Sequence, residues 1–188
     1  MVFIYFFTDK SNKFNKMNQD NVQLVLGLDP GSRATGYGII SESSGKLALI
    51  DTGTIRPNPK SDLGERLGFI FKRLSEIIVQ QDPLVAAVED IFVAHNTSSA
   101  LKLGQARGAA LVACSASSLP IYTYEATLVK KTLVGVGRAD KSQVAFMVGR
   151  LLGVKPYWTA DSSDALAVAI CHLNHARWAK WNKSGIGC

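Results

Sequence analysis

The amino-acid sequence predicts an α/β fold in which a five-stranded mixed sheet is flanked by helices. Three strand-like segments come first, and helical segments then alternate with two further short apolar segments. The third observation is size, because 188 residues with 47% hydrophobic content can bury one sizeable core but hardly two. We therefore expect a single domain without internal repeats.

The first three predicted strands form an antiparallel meander. Residues 22–28 are mainly apolar and stop at Pro30-Gly31, and residues 37–40 resume as the second strand. The turn Ser43-Ser44-Gly45 leads into a third strand over residues 47–54. Because no helix-length segment separates these strands, we expect neighbours to pair antiparallel.

The middle of the chain predicts a helix and then a buried strand. Apolar residues recur at helical spacing over residues 63–81, and Pro83 marks the end of this amphipathic segment. Residues 84–88 are apolar in succession, which is typical of a strand covered on both faces. The two segments begin the alternating half of the fold.

The rest of the chain predicts four helices and one strand. The first helix, residues 97–118, has Thr97 or Ser98 as its N-cap and a stripe of small residues at Ala100, Gly104 and Gly108 that suits close helix or subunit packing. The others are a strand over 121–124, a short helix over 125–133, a helix over 141–152 and a last helix that begins near Asp161.

The two ends of the sequence do not follow these patterns. Residues 2–7 are apolar but too short for a membrane span or a secretory core, and a polar run follows them. We expect residues 1–21 to be a poorly ordered extension, with either Met1 or Met17 as the start. Residues 177–188 are interpreted as a tail. Trp178 and Trp181 could cap the core, or Arg177, Lys180 and Lys183 could touch DNA, and packing is the preferred interpretation.

Charge and cysteine usage restrict the function class. The formal net charge of +6 and the pI near 9.3 favour a partner rich in phosphate, with nucleic acid as the leading candidate. Cys114 and Cys171 lie in apolar segments, Cys188 ends the chain, and no CxxC pair occurs. This usage indicates a reducing, cytoplasmic compartment.

Four carboxylates lie where predicted elements begin or end. Asp29 and Glu89 each follow an apolar strand-like segment, and Asp161 with Asp164 open the last helix. Clustered acids resist ionising unless cations neutralise them, so these positions predict bound divalent ions. Oxygen ligands without Cys or His favour Mg²⁺ or Mn²⁺ over zinc. Two such ions about 4 Å apart would activate water and stabilise the leaving oxygen of a phosphodiester.

Each acid also has a plain structural interpretation. Asp29 could form a turn with Pro30-Gly31, Glu89 could be a solvated strand end, and Asp161 with Asp164 fit a helix-capping pattern. A phosphate-binding P-loop is excluded after Asp29, because position 37 is Tyr where that loop needs Lys. Asp161 and Asp164 could cap the helix and also bind one ion together, since residues three apart on a helix share a face.

Five motifs occur in collinear order between residues 24 and 175. They are Gly27-Leu-Asp-Pro-Gly-Ser-Arg-Ala-Thr-Gly-Tyr-Gly38, Val88-Glu-Asp-Ile-Phe92, Ser99-Ala-Leu-Lys-Leu-Gly-Gln-Ala-Arg-Gly108, Val134-Gly-Val-Gly137 with Asp140-Lys-Ser-Gln143, and Asp161-Ser-Ser-Asp-Ala-Leu166. Each motif alone is modest, but the ordered set is highly specific. It resembles the bacterial RuvC family of Holliday junction resolvases.

The resemblance implies an RNase H-like nuclease domain over residues 22–176 and a homodimer in the bacterial cytoplasm. It also implies an endonuclease of recombination and repair that uses Mg²⁺ to nick two opposed strands of a four-way DNA junction, working with the RuvA–RuvB branch-migration complex. By motif, Asp29 would bridge two ions, Glu89 would bind one, and Asp161 with Asp164 would complete the shell and orient the attacking water.

The resemblance also assigns expected DNA contacts. Lys141 matches a lysine near the scissile phosphate, where a fixed cation offsets charge in the transition state. Lys130 matches a second basic position, and Arg138 belongs to a basic region over residues 125–155 that could follow the junction arms. Phe92 matches an aromatic residue that stacks on or wedges between bases. Ordinary exposed lysines, a solvated basic face and a core phenylalanine are the alternatives.

Three histidines and two other function classes complete the interpretation. His95 stands where relatives are often basic, and His172 with His175 are given no metal role because further ligands are lacking. An actin-like phosphotransferase would need two lobes, for which the chain is too short. A non-catalytic junction-binding module would have no use for convergent acids. Cleavage of the junction in Mg²⁺ therefore distinguishes a nuclease from such a module.

Overall fold

Three long strands lie side by side at the start of the domain, followed by alternating helices and strands. The computed structural model describes residues 22–90 and 97–183. Its elements are β1 (Val22–Asp29), β2 (Thr35–Ser43), β3 (Lys46–Ile55), α1 (Leu63–Gln81), β4 (Val85–Glu89), α2 (Thr97–Ala116), β5 (Ile121–Tyr124), α3 (Ala126–Val134), α4 (Lys141–Leu152) and α5 (Ala160–Lys183).

The five strands form one mixed sheet in the order β3-β2-β1-β4-β5. β1 pairs antiparallel with β2, and β2 pairs antiparallel with β3, which confirms the predicted meander. The hairpin between β2 and β3 turns at Ser44 and Gly45, whose φ angles are 50° and 82°. β4 then lies parallel to β1, and β5 parallel to β4. β1 is therefore the central strand.

Helices cover both faces of this sheet. On one face α1 and α2 pack against alternate strand residues such as Leu26, Leu28 and Val88. On the other face α5 lies along β1 and β2 over Val25 and Ala87, and α3 and α4 pack against α5. The side chain of a strand residue thus points either to α1 and α2 or to α5, according to its position in the alternation.

Most element bounds agree with the sequence prediction to within two residues. α2 is shorter than predicted, because the chain leaves the helix at Ala116 and Ser118 takes a φ of 52°. The cap of α5 is Thr159, whose hydroxyl accepts a hydrogen bond from the Ser162 backbone N–H at 3.3 Å. The interpretation of Asp161 as the cap is therefore wrong, because Asp161 already lies in the first turn.

The C-terminal part of the described chain is helical. α5 continues through residue 183, so the first residues of the predicted tail belong to this helix. Trp178 and Trp181 form an edge-to-face pair, with ring centroids 6.1 Å apart, and both are exposed, so the prediction that they pack on the core is wrong. Residues 1–21 lie outside the described residues. Within the described ranges, no helix has the length and apolar character needed to cross a bilayer.

Candidate active site

Two neighbouring parallel strands end in carboxylates at the same edge of the sheet. Leu28 of β1 pairs with Val88 of β4, so the next residues, Asp29 and Glu89, end the two strands side by side. Gly27 of β1 faces α5, and side chains two residues apart on a strand share a face. Asp29 and Glu89 therefore both point toward α5.

Small residues let α5 lie directly on the sheet. A Cβ atom added at Gly36 would lie 2.0 Å from the Asp161 carbonyl oxygen, and one added at Gly27 would lie 2.0 Å from the Ala165 carbonyl oxygen. Only glycine permits such a close approach of backbone to backbone. Gly36 is also the β2 partner of Asp29. The first turn of α5, with its two acids, is thereby held beside the end of β1.

The electrostatics show that the four carboxylates share one neighbourhood. Burial, and then the charges of Glu89, Asp164 and, to a lesser extent, Asp161, raise the pKa of Asp29 to about 7, against the opposing effect of Lys141. Burial and then the charge of Asp164 also raise the pKa of Glu89. The four acids are thus close enough for the charges of the other three to act on Asp29.

Lys141 lies beside this acid cluster (Asp29, Glu89, Asp161 and Asp164). Its Nζ donates a hydrogen bond to Asp164 Oδ2 at 2.7 Å, and this contact is the main cause that raises the pKa of the lysine. The position of Lys141 is fixed because Asp140 and Gln143 form a capping box around the start of α4. The sequence therefore places a cation at the first residue of α4 and aims it at the acids.

Two arginines that the sequence reasoning did not single out also contact the site. Arg56 Nη2 lies 3.2 Å from Asp161 Oδ2. Arg107 forms an ion pair with Asp90 at 3.3 Å, and its Nε donates to the Glu89 carbonyl oxygen at 3.4 Å, so it fixes the end of β4. Arg107 belongs to a motif quoted from the sequence, but no local pattern connects Arg56 with a residue 105 positions away.

The structure describes two of the other predicted DNA contacts, Lys130 and Arg138. Lys130 is close enough for its charge to lower the pKa of Glu89. Arg138 is exposed in the loop before α4. Phe92 and His95 lie outside the described residues.

The two remaining histidines belong to an aromatic cluster rather than to the acids. His172 is buried and its Nδ1 lies 2.8 Å from Tyr124 Oη, and burial lowers its pKa to about 4. The His175 ring packs at 5.6 Å from the same tyrosine. Both histidines therefore have partners near β5.

The donor set fits hard divalent cations. Within residues 22–90 and 97–183, no three His, Cys, Asp or Glu side chains are already arranged around one point as ion ligands. Asp161 is paired with Arg56 and Asp164 with Lys141, so each of these acids contacts a cation of the protein. Buried, mutually repelling oxygens such as those of Asp29 are relieved when a divalent ion replaces protons and cations.

Comparison with known proteins gives consistent results. The model of the family described as crossover junction endodeoxyribonuclease RuvC matches residues 25–172. The RuvC protein of Lawsonia intracellularis is 58% identical over 154 residues, covering 82% of this chain and 92% of that protein. The RuvC protein of Solidesulfovibrio magneticus is 53% identical over 154 residues, covering 82% of this chain and 91% of its own length.

A solved structure agrees with the fold. The structure of Thermus thermophilus RuvC in complex with Holliday junction substrate matches with a TM-score of 0.78 at 35% identity, covering 84% of this chain and 96% of that one. This likeness confirms the RNase H-like architecture. On the family match and these identities, the chain belongs to the RuvC family of crossover junction endodeoxyribonucleases.

Proposed function

We propose that this protein binds four-way DNA junctions and hydrolyses one phosphodiester bond in each of two opposed strands, using two Mg²⁺ ions. Membership in this nuclease family implies the use of divalent metal ions. The observation that carries the proposal is the environment of Asp29, whose pKa is raised to about 7 by burial and by three neighbouring acids. Such a group is poised to exchange its proton for a metal ion.

The acids divide the work by position. Asp29, at the centre of the acid cluster, would bridge the two ions, Glu89 would bind one, and Asp161 with Asp164 would complete the shell. When bound, the ions would activate a water molecule and stabilise the leaving oxygen. Lys141 would direct its ammonium group to the scissile phosphate, where it offsets developing negative charge. Mn²⁺ should substitute for Mg²⁺, since both prefer oxygen ligands.

Further DNA contacts follow from the basic residues. Lys130, near Glu89, and the exposed Arg138 would bind backbone phosphates, and Phe92 would stack on a base at the crossover. The cytoplasm is the expected compartment, and RuvA with RuvB are the expected partners on the same junction. Co-elution with a RuvA–RuvB–junction complex tests this partnership.

We also propose a homodimer that uses the outer face of α2. Leu101, Gly104, Gly108 and Val112 fall on one stripe of this helix, while its other face packs on α1. Leu101 is 65% exposed and Val112 57% exposed, and a Cβ added at either glycine meets nothing within 4 Å. A second α2 could therefore approach this stripe closely. Two subunits related by a twofold axis would present two active sites to two opposed strands.

The test is incubation with an end-labelled mobile four-way junction, with and without Mg²⁺. We expect paired nicks at symmetric positions in Mg²⁺ and none in EDTA. Asp29→Asn and Glu89→Gln should each keep junction binding and lower nicking by at least about 10³-fold, because each removes a metal ligand. Glu76→Gln, an exposed acid on α1, is the matched control and should cut normally. Normal nicking by either active-site variant would refute the metal assignment.

A further inference from the structure

Arg56 is held at the active site by the end of β3. It follows Ile55 directly and precedes Pro57, which restricts Arg56 to an extended backbone. Side chains two residues apart on an extended chain share a face, so Arg56 points to the same side as Thr54. Thr54 contacts α5, and the Arg56 guanidinium accordingly reaches Asp161 at 3.2 Å.

Three hydroxyl groups fix the position of Arg56 relative to the first turn of α5. Thr54 Oγ1 lies 2.6 Å from Thr159 Oγ1 and 3.0 Å from Ser162 Oγ. The hydroxyls of Thr159 and Ser162 are also 3.0 Å apart. Because Ser162 follows Asp161 directly and Thr54 precedes Arg56 by two residues, this hydroxyl cluster (Thr54, Thr159 and Ser162) sets the geometry of the ion pair.

The ion pair of Arg56 with Asp161 resembles the ion pair of Lys141 with Asp164, the second acid in the first turns of α5. In each, the cation is the more exposed partner: the side chain of Arg56 is 58% exposed and that of Lys141 is 74% exposed, against 35% for Asp161 and 20% for Asp164. An exposed ion pair contributes little stability and is easily exchanged. Each cation can therefore leave its carboxylate without disturbing the core.

We propose that Arg56 is a phosphate-binding residue that is released by metal binding. In the metal-free protein Arg56 pairs with Asp161. When Asp161 binds a divalent ion, the Arg56 guanidinium binds the DNA backbone phosphate that lies next to the scissile phosphate. Guanidinium groups bind phosphate through two parallel hydrogen bonds, which suits this exchange of one anion for another. The inference rests on the proposed junction nuclease function.

The first test measures how junction binding depends on salt, in Ca²⁺ and under conditions where gels show no nicking. Arg56→Gln should weaken binding about fivefold to tenfold at moderate salt. It should also reduce the slope of log affinity against log salt concentration by about one, because one phosphate contact is lost. Arg56→Lys should keep the slope, since it keeps the charge.

The matched control is Arg73→Gln, which removes a similarly exposed arginine from its ion pair with Glu76 on α1. It carries the same charge change on the opposite face of the sheet and should leave the salt slope at the wild-type value. A merely structural role for Arg56 would alter the melting temperature without altering this slope.

The second test titrates Mn²⁺ into the DNA-free protein by calorimetry. Arg56→Gln should bind Mn²⁺ about twofold to fivefold more tightly, because the cation no longer competes for Asp161. A wild-type salt slope or an unchanged Mn²⁺ affinity in this variant overturns the inference. If the wild-type protein itself fails to bind the junction, the proposed function falls as well, so the two failures are distinguishable.

Discussion

Asp29 combines burial with three acidic neighbours, and this makes its ionisation costly. The unfolded chain would release the Asp29 proton near its ordinary pKa of 3.8, whereas the folded protein holds it to about 7. Each unit of such a shift corresponds to about 1.4 kcal/mol of free energy. The acid therefore works against folding once it is ionised, and a bound cation would offset that effect.

The first prediction concerns stability and pH in EDTA. Between pH 4 and pH 7 the folded protein retains a proton at Asp29 that the unfolded chain has lost, so the contribution of Asp29 to the free energy of unfolding falls as pH rises. Asp29→Asn removes this dependence. We expect the variant to gain stability over wild type between pH 5 and pH 8 in urea denaturation. A constant difference would contradict the raised pKa.

Mg²⁺ should reverse that difference. Ligands that bind only the folded state stabilise it by mass action, so the wild-type melting temperature should rise with Mg²⁺ at pH 8. Asp29→Asn should respond much less, because it lacks the central ligand. Equal responses of the two proteins would place the metal elsewhere.

Lys141 gives a second prediction at the residue scale. Lys141→Ala should lower the single-turnover nicking rate about 10²-fold, since it removes a fixed cation from the developing charge. Junction affinity in Ca²⁺ should change by less than about threefold, because Lys141 acts on charge that develops in the transition state and not in the bound junction. Lys72→Ala on α1 is the control. An affinity loss as large as the rate loss would make Lys141 a binding residue only.

The sequence predicted residues whose role is local and missed those whose role is a long-range contact. Asp29 and Glu89 could be found because each directly follows an apolar strand. Arg56 could not, since its partner Asp161 is reached only after the sheet and α5 have assembled. Trp178 and Trp181 were expected to pack on the core because they lie three residues apart, but both are exposed at the end of α5.

At the scale of elements, the contact of α5 with β1 and β2 determines the site. The long helix α1 was predicted with its correct bounds, Leu63–Gln81, because apolar spacing and Pro83 are both local signals. The close approach of α5 to the sheet, in contrast, has no local signal that predicts it. Glycines in a strand pattern indicate tight packing, but they do not say which helix approaches.

The element-scale prediction tests this approach. Gly36→Ala would place a Cβ 2.0 Å from the Asp161 carbonyl oxygen, so α5 must shift. We expect a loss of about 2–3 kcal/mol in the free energy of unfolding and a strong loss of nicking. Gly68→Ala in α1 meets nothing within 4 Å and should stabilise by about 0.5–1 kcal/mol. If Gly36→Ala unfolds at the wild-type urea concentration, the close contact is not what holds α5.

For the whole molecule, the predicted mixed α/β architecture is confirmed, and the likeness to T. thermophilus RuvC confirms the fold. Local patterns alone predicted the five strands and their antiparallel beginning. They could not place β4 beside β1, because parallel neighbours are joined through helices of variable length. That placement is known from the structure, in which β4 pairs parallel with β1.

The whole-molecule prediction concerns the dimer. Leu101→Glu would put a charge on the outer stripe of α2, where Leu101 is exposed in the single chain and no folding penalty is expected. Light scattering should then report a monomer, and nicks should become unpaired. Val79→Glu, at an exposed position on α1, is the control and should remain dimeric. A dimeric Leu101→Glu protein would move the interface to another surface.

The order of elements along the chain has a consequence for protein synthesis. Ribosomes release the strands that carry Asp29 and Glu89 early, but the other two acids belong to the last helix, which also covers one face of the sheet. A nascent chain that stops before α5 lacks half of the acid cluster. On the proposed metal assignment, the protein acquires its cutting ability only after α5 has been synthesised.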